Sequence, residues 1–372
     1  MSLRDDMAAS GAAVVEEESG GYCVTPPSIA SLGRAVAAVR AWKLPLRVRG
    51  GGDAPVAAPK GGVLLDVGSL DRINSVDGKT CLARVEAGCS VAALESAARR
   101  AGCTLGPLLP SVRAGSVGAW LAGPTRGERG IPGARRETAA LSVAAVLADG
   151  HLAESRAAPR SATGPDLDHL ALGGAGRLCV VAAAWIRLFP VAPALASSWS
   201  CPQLATAVRG LERLCHERVS PARARVQAGV DGARLFMAWE GLETAAMERD
   251  RAARLLRELG CTLEGDAAAN QWLREPLGGH PVEVDARWAS LQGWSQRGEI
   301  HLLGMHAGGT FAALALAEAG SAEEAAALAR GSGARVIAPR RLRDAGPAWD
   351  AMGAGAVWQR LVEALGVEED AP

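Results

Sequence analysis

Three glycine-rich turns in the first half of the chain constrain its fold more than any other feature. The first lies in Pro45-Leu46-Arg47-Val48-Arg49-Gly50-Gly51-Gly52-Asp53-Ala54, where an apolar strand runs directly into an arginine and three glycines. Gly115-Ser116-Val117-Gly118-Ala119 repeats the chemistry, and Gly164-Pro165-Asp166-Leu167 followed by Gly173-Gly174-Ala175-Gly176-Arg177-Leu178 completes the set. Backbone without side chains can bring its N–H groups against phosphate oxygens, and glycine alone adopts left-handed turns at no steric cost. Three such turns in one half of a molecule point to one large phosphate-bearing cofactor.

A chain of 372 residues with 49% hydrophobic content can fill two ordinary domain cores. Forty basic residues balance forty acidic ones, so no global field favours nucleic acid or an anionic membrane. No uninterrupted apolar run approaches the roughly 20 residues that cross a bilayer, and Met1–Asp6 lacks a charged-then-apolar export pattern. The expectation is a cytoplasmic protein that meets the inner membrane, if at all, through partners. The eight cysteines contain no C-x-x-C pair, which speaks against a zinc ribbon or a cysteine-ligated cluster, and their expected role is as small buried apolar residues. Among six histidines there is no H-E-x-x-H, and no metal site is expected.

The acidic start, residues 1–21, has little to bury and is expected to stay mobile. Pro26-Pro27-Ser28 opens a helix carrying Ile29, Leu32, Val36 and Val39 at helical spacing, followed by the strand Leu46–Arg49. Val63–Asp66, Ile73–Val76 and Cys81–Val85 read as strands, with a hairpin turn at Asp77-Gly78. Ser90 caps a helix Val91–Arg100, and the apolar run Leu141–Leu147 ends in a second hairpin turn at Asp149-Gly150. Val180–Leu188 is a further strand. After about residue 194 the glycine clusters disappear, and helices (Leu204–Glu217, Thr244–Leu259) alternate with strands (Arg223–Ala228, Leu235–Trp239, Glu299–Leu303, Gly309–Leu316, Ala334–Ala338). That order fits a sheet covered on one face by helices. Trp358–Leu365 reads as a last helix.

The series Arg49-Gly50-Gly51-Gly52, Leu65-Asp66-Val67-Gly68-Ser69-Leu70, Val85-Glu86-Ala87-Gly88, Ser116-Val117-Gly118, Val146-Leu147-Ala148-Asp149-Gly150, Gly164-Pro165-Asp166-Leu167 and Leu188-Phe189-Pro190 resembles the FAD-binding domain of the vanillyl-alcohol oxidase superfamily, of the p-cresol methylhydroxylase (PCMH) type. The resemblance covers roughly residues 23–193. It implies an α+β protein: a two-subdomain FAD-binding domain over 22–193, an α/β cap with an antiparallel sheet and helices on one face over 194–340, and a C-terminal helix and tail over 341–372. Leu121–Arg126 and Gly133–Glu137 are similar to the FAD-binding subunit of glycolate oxidase, whereas Pro159–Leu167 looks more like alkyldihydroxyacetonephosphate synthase or a D-2-hydroxyacid dehydrogenase.

Carried over by position, the resemblance implies that Arg49, Gly50, Gly51, Gly52, Asp53 and Ala54 wrap the FAD diphosphate. Pro110, Ser111, Gly115, Ser116, Val117, Gly118 and Ala119 would line the flavin's other side, with the Ser116 hydroxyl offered to phosphate or ribose. The same serine suits a helix cap. Gly133, Ala134 and Arg136 would approach pyrophosphate or ribitol, and Gly176, Val180 and Val181 the adenine or ring edge. The first loop holds no histidine or cysteine, so the FAD is expected to be non-covalent. Three positions depart from the family pattern: Ala119 and Cys179 stand where glycine is usual, and Ala182 where threonine is frequent.

The implied chemistry is oxidation of a small 2-hydroxy acid of the glycolate or lactate kind, with hydride passing to flavin N5 and electrons then to a sister subunit. His301 and His306 are the candidate bases. A core or solvent-facing strand histidine is the bland alternative for each. Two other functions stay open: a flavin-poor, non-catalytic scaffold subunit, and an FAD enzyme similar to alkyldihydroxyacetonephosphate synthase.

Overall fold

A computed structural model describes residues 3–17, 20–51, 57–106, 108, 110–123, 136–158, 166, 168–174, 176–192, 194–229, 231–240, 244–265, 269, 282–292, 298–306, 309–316 and 319–336. The first sheet has the order β1 (Ala13–Glu16), β2 (Tyr22–Thr25), β4 (Val63–Asp66), β3 (Leu46–Arg49). Strands β2, β4 and β3 are parallel and β1 is antiparallel to β2. Parallel strands need a crossover, and the helix Ile29–Ala41 supplies the one from β2 to β3. The Ser28 hydroxyl starts that helix by accepting a bond from the Ser31 N–H at 3.2 Å. Its residues Leu32, Ala35, Val36 and Val39 are buried, the spacing of one helix face.

The second sheet is antiparallel throughout, with the order β5 (Ile73–Asp77), β6 (Leu82–Glu86), β10 (Cys179–Arg187), β8 (Ala140–Leu147), β9 (Leu152–Glu154). The two long apolar runs read from the sequence become its adjacent strands β8 and β10, buried along most of their length. A register shift between Val181 and Ala183 puts a bulge at Ala182. A small pair joins β7 (Cys103–Thr104) to β11 (Phe189–Pro190). The two larger sheets meet at a bare seam: a Cβ on Gly33 of the crossover helix would stand 2.6 Å from the carbonyl oxygen of Gly150, in the β8–β9 turn. Gly150 itself has φ +85, as the Asp149-Gly150 turn requires. One hydrophobic cluster, with members from Met7 to Leu188, fills this half.

The later sheet is also wholly antiparallel, in the order β15 (Thr262–Gly265), β12 (Ala194–Cys201), β14 (Gly232–Glu240), β13 (Arg223–Gly229), β17 (Gly298–His306), β18 (Gly309–Leu316), β16 (Val282–Arg287), β19 (Arg335–Val336). Helices Leu204–His216, Thr244–Glu258, Trp288–Gln292 and Ala322–Gly331 supply Leu211, Leu256, Leu291 and Ala329 to a second cluster. The sheet contributes Trp199, Leu235, Met237, Val226, Ile300, Leu314 and Val284 to the same cluster, so these helices share one face, as the alternation of elements implied.

The N-terminal stretch corrects the expectation of mobility. Leu3–Ala9 is helical, β1 pairs with β2 from Ala13↔Thr25 to Glu16↔Tyr22, and Met7 is fully buried. The Ser10 carbonyl accepts from the Ser31 hydroxyl at 2.9 Å and from Arg34 at 2.8 Å, while the Glu17 carboxylate accepts from the Ala58 N–H at 2.9 Å. Acidic composition concealed one buried methionine and a strand edge waiting for a partner. Strands β12 and β16 were also not expected, whereas the last helix expected, at 358–365, lies outside the described residues.

Met7→Ala should lower the stability of this half by about 2–4 kcal/mol, the cost of emptying a methionine-sized core site. Denaturant unfolding measures it, and an unchanged midpoint would mean that the first helix contributes nothing to the core.

Candidate cofactor site

Strand β3 delivers the first glycine turn to the middle of this half. The Val67 N–H bonds the Arg49 carbonyl at 2.9 Å, which fixes where the strand ends. Gly50 and Gly51 follow at once, and among the described residues neither N–H has a hydrogen-bond partner. A Cβ on Gly50 would overlap the Ser116 hydroxyl oxygen, and one on Gly51 would approach the Gly88 carbonyl oxygen to 3.3 Å. The first and second turns therefore touch, and glycine is what lets them.

The second turn is tied down by main chain. Val117 N–H bonds Cys89 C=O at 2.9 Å and Gly118 N–H bonds Ala87 C=O at 2.7 Å, while the Val91 N–H bonds Gly115 C=O at 3.0 Å. Gly88 holds the same loop from the other side. Its N–H reaches the Leu70 carbonyl at 2.7 Å, and a Cβ there would overlap the Val67 carbonyl oxygen. The third turn closes the group: Gly173 N–H bonds Leu121 C=O at 2.8 Å, and at Gly176, with φ +77, a Cβ would lie 2.9 Å from the Val48 side chain. The described parts of all three turns thus gather around the end of β3, while Gly164, Pro165, Leu167 and Ala175 lie outside the described residues. Unpartnered N–H groups with no side chain over them fit a ligand that presents oxygen atoms, as a diphosphate does.

Two side chains at these turns have partners within the protein. Arg49 donates to Asp66 through Nε at 3.1 Å and through its terminal nitrogen at 2.6 Å, and this hydrogen bond raises its pKa. Its guanidinium is thus paired within the sheet, and the main chain that follows it carries the glycine turn. Ser116 is fully buried, and its hydroxyl accepts from the Ala119 N–H at 3.2 Å, so it caps the helix Val117–Ala122 and keeps its O–H to donate. Val117, Val180 and Val181 are core residues, leaving only their main chain to face a ligand.

The departures from the family pattern are accommodated. Ala119 sits in helical backbone with its methyl exposed, so no left-handed conformation is demanded of it. Cys179 begins β10, where burial pushes its thiol up to about 11 and keeps it neutral. Ala182 is the bulged residue whose carbonyl accepts from the Ala87 N–H at 2.9 Å. Gly52, Asp53, Ala54, Gly133 and Ala134 lie outside the described residues. Pro110, Ser111 and Arg136 are placed by backbone only, at the starts of the short helices Pro110–Arg113 and Arg136–Ala139.

His301 and His306 both fall on β17, at register positions opposite Ala313 and Gly309. Across the other edge His301 pairs with Arg225 of β13. Arg225 was not singled out from the sequence. It is 2% exposed and ion-paired with Glu299, which is 23% exposed. Because Ala224 and Val226 face the helices, Arg225 stands on the opposite face of the sheet. The alternation Arg223-Ala224-Arg225-Val226-Gln227 was legible as a strand, but nothing in it marks one charged residue as buried. A separate cleft of about 600 Å³ opens between Trp199, Leu263 and Arg249, Arg254 and Arg257 of helix Thr244–Glu258, and none of the glycine turns lines it. Among the described residues no helix is long and apolar enough to cross a membrane.

Residues 21–156 match the family model of the FAD binding domain. The chain is similar to the FAD-linked oxidoreductase YgcU of Escherichia coli K12, 27% identical over 47% of this chain and 36% of that protein. It is also similar to D-lactate dehydrogenase of Archaeoglobus fulgidus, 30% identical over 40% of this chain and 34% of that one. The matched stretch thus spans about a third of the length of each of these relatives. Among solved structures, an alkyldihydroxyacetonephosphate synthase has a TM-score of 0.71 at 18% identity, covering 92% of this chain and 74% of its own. p-Cresol methylhydroxylase has a TM-score of 0.65 at 15% identity, covering 98% and 91%.

Ser116→Ala should cost about 1 kcal/mol of stability, the usual loss for a helix cap, and leave the amount of bound flavin per chain unchanged. A fall in flavin content without a fall in stability would return the hydroxyl to the ligand.

Proposed function

We propose, from the premise that residues 21–156 of this chain are an FAD binding domain within a PCMH-type fold, that the protein is a non-covalent FAD-dependent oxidoreductase, or the flavin-bearing subunit of one, acting on a small 2-hydroxy acid. The meeting of the glycine turns at the end of β3 is the observation that carries the reading. The N–H groups of Gly50 and Gly51 hold the diphosphate, the turn at Gly115–Ala119 supports them from behind, and the main chain of Gly176, Val180 and Val181 borders the cofactor. Gly52, Asp53, Ala54, Pro110, Ser111, Gly133, Ala134 and Arg136 complete its surroundings. In this reading residues 22–193 are the FAD domain, 194–340 the cap and 341–372 a C-terminal helix and tail.

Bound FAD supplies a two-electron acceptor for hydride leaving the hydroxyl-bearing carbon. The chain must then place a base at the hydroxyl and a cation at the carboxylate. His301 and His306 on β17 are the bases to test. Arg225, across the ladder from His301 and held by Glu299, is the cation to test. The likeness to D-lactate dehydrogenase supports the substrate class. Electrons leave to a sister subunit, and the protein works in the cytoplasm, reaching the inner membrane only through such partners.

A second reading is favoured by the alkyldihydroxyacetonephosphate synthase likeness, at a TM-score of 0.71, and by the segment up to Leu167: an FAD enzyme that exchanges a carbon–oxygen bond without net oxidation. A third, a scaffold that has lost its flavin, requires a colourless protein.

Purified protein should be yellow, release its flavin on denaturation, and bleach anaerobically with glycolate or lactate. Bleaching by neither acid, together with release of fatty acid from an acyl-dihydroxyacetone phosphate, would favour the second reading. Gly51→Trp should abolish flavin retention while leaving the cap's unfolding transition in place, because the indole fills the space of the diphosphate. Retained flavin in that variant would remove the first turn from the site. His306→Asn should shift the pH dependence of turnover if His306 is the base, and an unaltered profile would return it to a structural role.

A further inference from the structure

The eight cysteines were expected to act as small apolar residues, yet two of them are placed for covalent chemistry with each other. Cys81 and Cys103 are 22 residues apart in sequence, and their sulfurs lie 3.6 Å apart, with the Cys103 thiol donating to Cys81. Both thiols also point at the Gly78 carbonyl oxygen, at 3.7 and 3.8 Å. The two sulfurs need close by only about 1.5 Å to reach the bonded distance near 2.05 Å.

The surrounding backbone holds them there. Asp77 fixes the hairpin by accepting from Lys79 N–H at 2.8 Å and from the Thr80 hydroxyl at 2.7 Å, and Cys81 follows in left-handed backbone at φ 54. That conformation is uncommon for a side chain larger than hydrogen and persists only where the surroundings impose it. The hairpin tip is pressed against the end of helix Val91–Arg100, since a Cβ on Gly78 would overlap the Ala101 carbonyl oxygen. Cys103 lies two residues beyond that contact. From the other side, the Leu188 N–H bonds the Cys81 carbonyl at 2.8 Å.

The two thiols differ in access. Cys81 is only partly buried, whereas Cys103 is 1% exposed, and burial followed by the hydrogen bond to Cys81 pushes Cys103 up to about 11. The attacking sulfur in such a pair is the reachable one, and the buried one resolves. Cys201 and Cys261 are also hydrogen-bonded partners, but at 2% and 4% exposed neither is within reach of an oxidant.

We infer that Cys81 and Cys103 form a peroxide-reactive dithiol that closes to a disulfide, stapling the β5–β6 hairpin to the end of helix Val91–Arg100. In the first step the Cys81 thiolate attacks one oxygen of hydrogen peroxide, the O–O bond breaks, and hydroxide leaves and is protonated to water. Cys81 is then a sulfenic acid. In the second step the Cys103 sulfur attacks the Cys81 sulfur, the S–O bond breaks, and hydroxide leaves as water with the proton from Cys103. Two electrons and two protons pass from the thiols to one peroxide, which yields two waters.

The full-length protein, treated in its folded state with a small molar excess of hydrogen peroxide, denatured and alkylated, should yield a peptide linking Cys81 to Cys103 that disappears on reduction with dithiothreitol. In Cys81→Ser, Cys103 should remain open to alkylation after the same treatment. In Cys103→Ser, Cys81 should stop at a sulfenic acid trapped by dimedone. Should either variant fold poorly, the linked peptide from the unaltered chain decides alone. Free thiols at both positions, oxidation of Cys81 without linkage in the unaltered chain, or equal linkage of Cys81 to other cysteines would overturn the inference.

Discussion

Gly88 lies where the carbonyl oxygens of Val67 and Gly68 leave no room for a side chain, and its own N–H is bonded to Leu70 at 2.7 Å. The loops that follow β4 and β6 therefore meet through main chain alone. Ala87 next to it accepts from Gly118, Cys89 accepts from Val117, and the Ala87 N–H is bonded to Ala182. Through this one short loop the first sheet, the second sheet and the helix Val117–Ala122 are brought to a common place. Gly50 and Gly51 arrive there last, against Ser116 and Gly88. Remove the close approach at Gly88 and the first and second glycine turns lose the loop on which they meet.

Much of this half could be read from the sequence because local chemistry decides it. Ser28 and Ser90 cap helices as their positions imply, Asp149-Gly150 makes the turn between β8 and β9, and two long apolar runs become buried strands. What could not be read was pairing at a distance. Arg49 gains its ion pair because Asp66, 17 residues on, is brought beside it by parallel register. β12 escaped notice because Ala194–Cys201 is mostly alanine and serine, residues with little strand preference, and only its neighbours β14 and β15 make it a strand. The acidic start misled for a related reason: Met7 is one large apolar residue after charged ones, and its burial depends on what folds over it.

The later sheet divides its two faces between different tasks. Tryptophans 199, 239 and 288 fill the side under the helices, all nearly inaccessible, and give that layer its bulk. On the other side Phe236 makes a small cluster with Ala196, Ala238 and Ala269, and Arg225 is paired there with Glu299. A guanidinium taken out of water is costly unless it is matched, and replacing such a pair with apolar residues is often neutral or stabilising in other proteins. Stability is therefore a weak explanation for this pair, which joins β13 to its neighbour β17 on the face away from the helices.

At the seam of Gly33 and Gly150, helix and hairpin are in contact through carbonyl oxygens and bare α-carbons, without the rotatable groups that fill most protein interiors. Side chains absorb small displacements by changing rotamer, but two backbones at van der Waals distance have no such freedom. The seam acts as a fixed gauge, so thermal expansion and core substitutions elsewhere should be taken up at the outer edges of the two sheets.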